Sequence, residues 1–138
     1  QEALVNDVHT LFFQCGLGHM IGLDVHDMEN LGEQYVGYTE DIKKSIAFGW
    51  KSLRLAKALE PGFTLTVEPG LYFIPALIDL WKSQNKNADF INYSELEKFK
   101  NFGGIRVEDN ILITERECHI LGDKIAPKTV NEIEAIML

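Results

Sequence analysis

The chain has 138 residues, 46% apolar and 25% charged, which is enough for one ordinary domain with a hydrophobic core. Its 13 basic and 21 acidic side chains leave a net charge of −8, which argues against a nucleic-acid partner. No run of about 18 apolar residues is present, so neither a transmembrane helix nor a membrane partner is expected.

The opening QEALVNDVHT has no Met and no signal-peptide pattern, and a start at Gln1 reads as a cut in a longer chain. Apolar positions at Leu4, Val5, Val8, Leu11 and Phe12 predict a helix within residues 1–14. From Gly16 to Asp27 the string GLGHMIGLDVHD has three glycines in seven residues, a density that suits extended or turning backbone near a ligand. Residues 28–41 read as a loop. Alternation predicts strands at 52–55 and 63–68, separated by the turn Glu60-Pro61-Gly62, with a second Glu-Pro-Gly at 68–70 ending the later strand. A helix is predicted over 74–83 with Pro75 in its first turn, then a connection over 84–92, a short helix over 93–101 and a strand or strand pair over 105–114. Thr129 as N-cap with Glu132 three residues on predicts a closing helix over 129–137. The order is α+β with a mostly antiparallel sheet. Cys15 and Cys118 form no CxxC pair, a usage that fits a cytoplasmic protein.

Alternation along 63–68 places Glu68 opposite in facing to Phe63, Leu65 and Val67, and 105–108 repeats the arrangement for Arg106 and Glu108. His19 and His26, seven residues apart, converge only if the chain bends between them, and Gly22 can supply the bend. One imidazole with two carboxylates suits Zn, Mn, Co or Fe. The residues alone leave two readings open: a His/Glu/Glu donor set, or exposed acids and unrelated histidines.

The string GLGHMIGLDVHD resembles the histidine motif of proline-specific peptidases in the pita-bread (M24-type) metallopeptidase family. TVEPGLY (66–72) is similar to its TxEPGxY motif and GGIRVEDNILIT (103–114) to its GxRxED motif, in the same order. The spacings match as well, with 49 residues from His19 to Glu68 and 40 from Glu68 to Glu108. PKTVNEIEAIM (127–137) resembles the family's C-terminal helix. The resemblance runs from Leu11 onward and implies the C-terminal part of a pita-bread catalytic domain, with the upstream half outside this chain. It further implies an Xaa-Pro aminopeptidase or Xaa-Pro dipeptidase that acts on peptides or dipeptides with proline second and is allowed to be a homodimer. The 73–103 region looks closer to the dipeptidase branch.

Carried over, the resemblance makes His19 and Glu68 terminal ligands of one ion and Glu108 a bridge between two, Mn first, with Co or Zn as alternatives. His26 would contact substrate and the tetrahedral intermediate, Glu68 would shuttle a proton, Arg106 would stand beside the metal site, and Tyr72 would lie just outside it. Two departures follow. The family's two aspartate ligands and a further histidine lie upstream of the first histidine motif and are absent here. Cys15 stands where the family has a substrate-side histidine, which reads as a pocket position filled by a small apolar residue. His9, His119, Trp50 and Trp81 read as packing or surface residues, and Asp24 or Asp27 could orient the His26 ring. A fragment of this kind is expected to be inactive alone. The rival expectation is a non-catalytic pita-bread domain used as a binding module.

Overall fold

A computed structural model describes residues 1–122 and 126–138. The first segment forms a single helical turn, α1 (Glu2–Val5), and then a 3₁₀ turn at Val8–Leu11, not one helix. The break falls at Asp7, which adopts φ 56° and so leaves the right-handed helical region. The segment's second half still faces inward, while Leu4 and Val5 are exposed. Val8 and Leu11 join Ile78, Trp81, Ile91 and Leu96 in one buried cluster. Ile78 and Trp81 come from α3 (Pro75–Ser83), which has proline at its first turn as expected. Ile91 and Leu96 come from the connection and from α4 (Tyr93–Leu96), whose N-cap Asn92 accepts from the Glu95 N–H. Full burial of Leu11 and Ile78 contributes about 1.5–3 kcal/mol each.

Two antiparallel ladders carry the rest. β1 (Thr64–Val67) pairs with β4 (Asp109–Ile113), which also pairs with β5 (Cys118–Ile120). β2 (Gly70–Tyr72) pairs with β3 (Gly104–Arg106). The second Glu-Pro-Gly ends β1 at Val67 as expected, and pairing resumes at Gly70 in a separate two-stranded sheet. Val67 faces Asp109 and Gly70 faces Arg106, so an unchanged register sets Glu68 opposite Glu108 and Pro69 opposite Val107. The Val107 N–H donates to the Pro69 carbonyl at 3.1 Å across the break. Proline has no N–H to return, which is why the ladder is interrupted there. Phe73, next after β2, stacks on Phe99 and meets Phe12 and Phe102 edge-on, tying this ribbon to the helical core.

The glycine-rich segment lies extended along the free edge of β1. Thr66 N–H donates to the His19 carbonyl at 3.0 Å and Glu68 N–H to the Leu17 carbonyl at 2.7 Å, with a bridge between Met20 and Leu65. Gly18 is needed for this approach, since a Cβ there would sit 1.9 Å from the Thr66 carbonyl oxygen.

Three local expectations are corrected. Residues 28–41 hold a helical turn, α2 (Glu33–Gly37), after Gly32 at φ 149°. Residues 52–55 are not a strand: the Tyr38 hydroxyl donates to the Leu53 carbonyl, and just after them the Ala56 N–H donates to the Gly37 carbonyl at the end of α2. Alternation there had no sheet edge to join. β5 (Cys118–Ile120) was not foreseen, because three residues are too short a run for alternation to signal a strand. The expected closing helix is present as α5 (Val130–Met137) with its Thr129–Glu132 capping box, though none of its residues is buried. Among the described residues no helix is long and apolar enough to cross a membrane.

Candidate metal centre

Like charges placed directly opposite across an antiparallel pair repel each other, and Glu68 and Glu108 occupy such a pair. The compensating cation comes from the same face, two residues before Glu108. Arg106 reaches Glu108 Oε2 with one nitrogen at 3.0 Å and Glu68 Oε2 with another at 3.3 Å. The Tyr72 hydroxyl, then Glu108, hold the guanidinium firmly in its charged form. Tyr72 lies across Gly70 and Gly104, where a Cβ would collide with its ring. Burial raises the pKa of the Tyr72 hydroxyl, and the neighbouring Cys15 adds to this.

On the other side of Glu68, His19 is buried at 5% exposure. Its Nδ1 lies 3.0 Å from the Met20 carbonyl, which can only accept, so Nδ1–H donates there and Nε2 is the nitrogen turned toward Glu68. That Nε2 is 3.3 Å from Glu68 Oε1. Two donors each about 2.1 Å from one ion stand about 3.4 Å apart at the tetrahedral angle. The spacing and the carbonyl-fixed tautomer both fit a pair of ligands on a single divalent ion. Buried Thr66 holds the pair in place, since its Oγ1 accepts from the His19 N–H at 3.0 Å and donates to Glu68 Oε1 at 3.0 Å. Glu108 does not converge with these two donors: among the described residues no three His, Cys, Asp or Glu side chains form a metal-binding group. Arg106 stands between the two carboxylates, in contact with both.

The two histidines do meet. After Ile21 the chain folds back, with the Asp27 N–H donating to the Met20 carbonyl at 3.0 Å, and the His19 and His26 rings lie 4.3 Å apart, edge to face. Neither Asp24 nor Asp27 orients the His26 ring. Asp27 is packed against Gly22, and it is Glu29 that takes His26 Nδ1, at 2.5 Å. Arg54 braces Glu29 at 2.5 Å and also pairs with Glu33, which in turn holds Lys44. The His26 hydrogen bond, then that from Arg54, holds Glu29 below the usual carboxylate range. Burial opposes ionisation of Glu33, but Lys44 and Arg54 outweigh it.

A cleft of about 410 Å³ is lined by Cys15, His19, His26, Glu68 and Arg106, together with the basic Lys44, Lys51 and Arg54. Cys15 is half-buried there rather than enclosed in the core. His9 packs edge-on against Trp50, Trp81 is buried in the core, and His119 lies exposed beside Glu117. Thr66, Glu29 and Arg54 were not singled out from sequence. Strand alternation alone puts Thr66 on the face of Glu68; nothing local signals the other two, which meet across 25 residues.

The profile of metallopeptidase family M24 matches residues 2–115. Xaa-Pro dipeptidase of Rattus norvegicus is 43% identical over 127 residues, covering 92% of this chain and 24% of the relative. Zinc-substituted aminopeptidase P of Escherichia coli, solved in complex with product, superposes with a TM-score of 0.58 at 33% identity, covering 99% of this chain and 22% of that one. Aminopeptidase PepP of Pseudomonas aeruginosa gives a TM-score of 0.57 at 26% identity over 99% of this chain and 23% of its own. The chain thus has the fold of the C-terminal part of a pita-bread catalytic domain, and it spans about a quarter of the length of the curated relatives it matches.

Proposed function

The chain belongs to metallopeptidase family M24, and from that membership we propose that its intact parent is a dinuclear, metal-dependent exopeptidase hydrolysing the Xaa-Pro bond of peptides or dipeptides. In this reading the chain supplies one part of the site, and upstream sequence supplies the aspartate ligands. The observation that carries it is His19 Nε2 at 3.3 Å from Glu68 Oε1, with a register that sets Glu68 against Glu108. Free Cys15 and Cys118 support a cytoplasmic setting.

His19 and Glu68 would hold one ion, and Glu108 would reach both once Arg106 yields the space between the carboxylates. Divalent metal bound there supplies Lewis acidity toward the scissile carbonyl and lowers the pKa of water, with Mn as the first choice and Co or Zn as alternatives. The protein's own groups do the rest. An Xaa-Pro bond is a tertiary amide, so the departing proline nitrogen must gain a proton. Glu68 would take that proton from the attacking water and deliver it, and the Thr66 hydroxyl that donates to its Oε1 supports this by keeping the carboxylate in one orientation. His26 faces the same cleft and would hydrogen-bond the developing oxyanion. Arg106 keeps positive charge beside both carboxylates, and Cys15 lines the substrate side.

A second reading, a metal-free binding module on this fold, is favoured by one observation: Arg106 already pairs with both carboxylates and offsets one of their two charges. Release of proline from Xaa-Pro dipeptides by the intact parent separates the two. The peptidase reading expects turnover that EDTA abolishes and Mn restores, with none from this chain by itself. Absence of turnover in the metal-loaded parent would favour the module.

A further inference from the structure

His26 is held by a side chain that no motif assigns. The turn 26–29 closes with the Glu29 N–H donating to the His26 carbonyl at 3.2 Å, and it places Met28 at φ 57°, a conformation that non-glycine residues rarely adopt. The result is that Glu29 Oε2 lies 2.5 Å from His26 Nδ1. The other oxygen, Oε1, is 2.5 Å from an Arg54 nitrogen, and the second fork of that guanidinium is tied to Glu33. A carboxylate gripped at both oxygens cannot turn without breaking a charge-assisted bond. His26 and Glu29 are both partly exposed, so packing alone does not fix the ring.

We propose that Glu29 is a positioning residue for His26: it fixes the ring's orientation and commits Nδ1–H to the carboxylate, so that proton exchange or hydrogen bonding with substrate occurs at Nε2. The logic is that of a carboxylate orienting a catalytic imidazole, with Arg54 holding the carboxylate. This rests on the peptidase reading in so far as His26 works on substrate.

The test uses the intact parent labelled with ¹⁵N-histidine, the His26 signals being assigned by their loss in His26→Gln. Glu29→Ala should lower kcat about 10- to 100-fold with KM little changed and metal content retained, and should shift the His26 Nδ1 resonance. Glu29→Gln keeps an oxygen that can accept from Nδ1–H, and should recover part of kcat and of the resonance position. An unchanged kcat and unchanged nitrogen spectrum in Glu29→Ala would overturn the proposal. Equal loss of metal and folded structure in both variants would overturn it too, by making Glu29 merely structural. If the unmodified parent shows no Xaa-Pro turnover, the peptidase reading falls, while the nitrogen spectrum still decides whether Glu29 controls His26.

Discussion

In a Gly18→Ala variant the added Cβ falls 1.9 Å from the Thr66 carbonyl oxygen and 3.0 Å from its carbon, both backbone atoms that no rotamer change can move. Comfortable non-bonded separations are about 3.5 Å, so the glycine-rich segment must part from β1 by roughly 1.5 Å. The clash lies between two backbone hydrogen bonds, Thr66 to His19 and Glu68 to Leu17, and both would be lost or badly stretched. At about 0.5–1.5 kcal/mol each, with the Thr66 hydroxyl contact to the His19 N–H weakened as well, the variant should lose about 2–4 kcal/mol of stability. The functional consequence is sharper. His19 Nε2 and Glu68 Oε1, now 3.3 Å apart, would separate to almost 5 Å, whereas two donors on one ion can stand no more than about 4.2 Å apart. In the intact parent, Gly18→Ala should therefore lower the thermal midpoint in EDTA and lose metal content by plasma mass spectrometry. A variant with the parent's midpoint and full metal content would refute this account of the edge.

Other consequences are more local. Cys15→Ser in the parent should shift KM or the preferred Xaa residue while leaving metal content unchanged; loss of an ion would mean that the thiolate coordinates. Glu97, held down to about 2 by Lys100 and then Lys82, is ionised in the folded protein well below its ordinary value of 4.5. A depressed folded pKa gives stability that is present above about pH 4.5 and fades as pH falls toward 2, so Glu97→Gln should flatten that limb of an acid titration followed by circular dichroism. Thr129→Ala removes the capping box of α5 and should cost about 1 kcal/mol of helix stability, read as lost helical signal, since no buried contact holds that helix.

Much of this arrangement was legible in the residues. Pro75 marked the start of α3, and Thr129 with Glu132 marked α5, because both depend on chemistry within one helical turn. Gly22 lies in the segment where the chain turns back to bring His26 to His19, and the density of glycine around it was the only available sign of that bend. The opposition of Glu68 and Glu108 was less visible, since it depends on a register that continues past Pro69 and no single strand discloses its partner's register. The alternation in residues 52–55 misled for the same reason: a pattern suited to a strand gives no strand without an edge to pair with. Glu29 and Arg54 stayed hidden because their contact closes a span of 25 residues that holds only one helical turn and no strand.

The central claim is that His19, Glu68 and Glu108 are metal ligands while His26 acts on substrate. Metal stoichiometry and kcat measured together on the intact parent, Glu108→Gln and His26→Ala test it most directly. The account expects two ions per chain in the parent, loss of metal in Glu108→Gln, and both ions retained in His26→Ala with kcat lower by about 10²–10³. Two tightly held ions in Glu108→Gln, with one lost from His26→Ala, would contradict it.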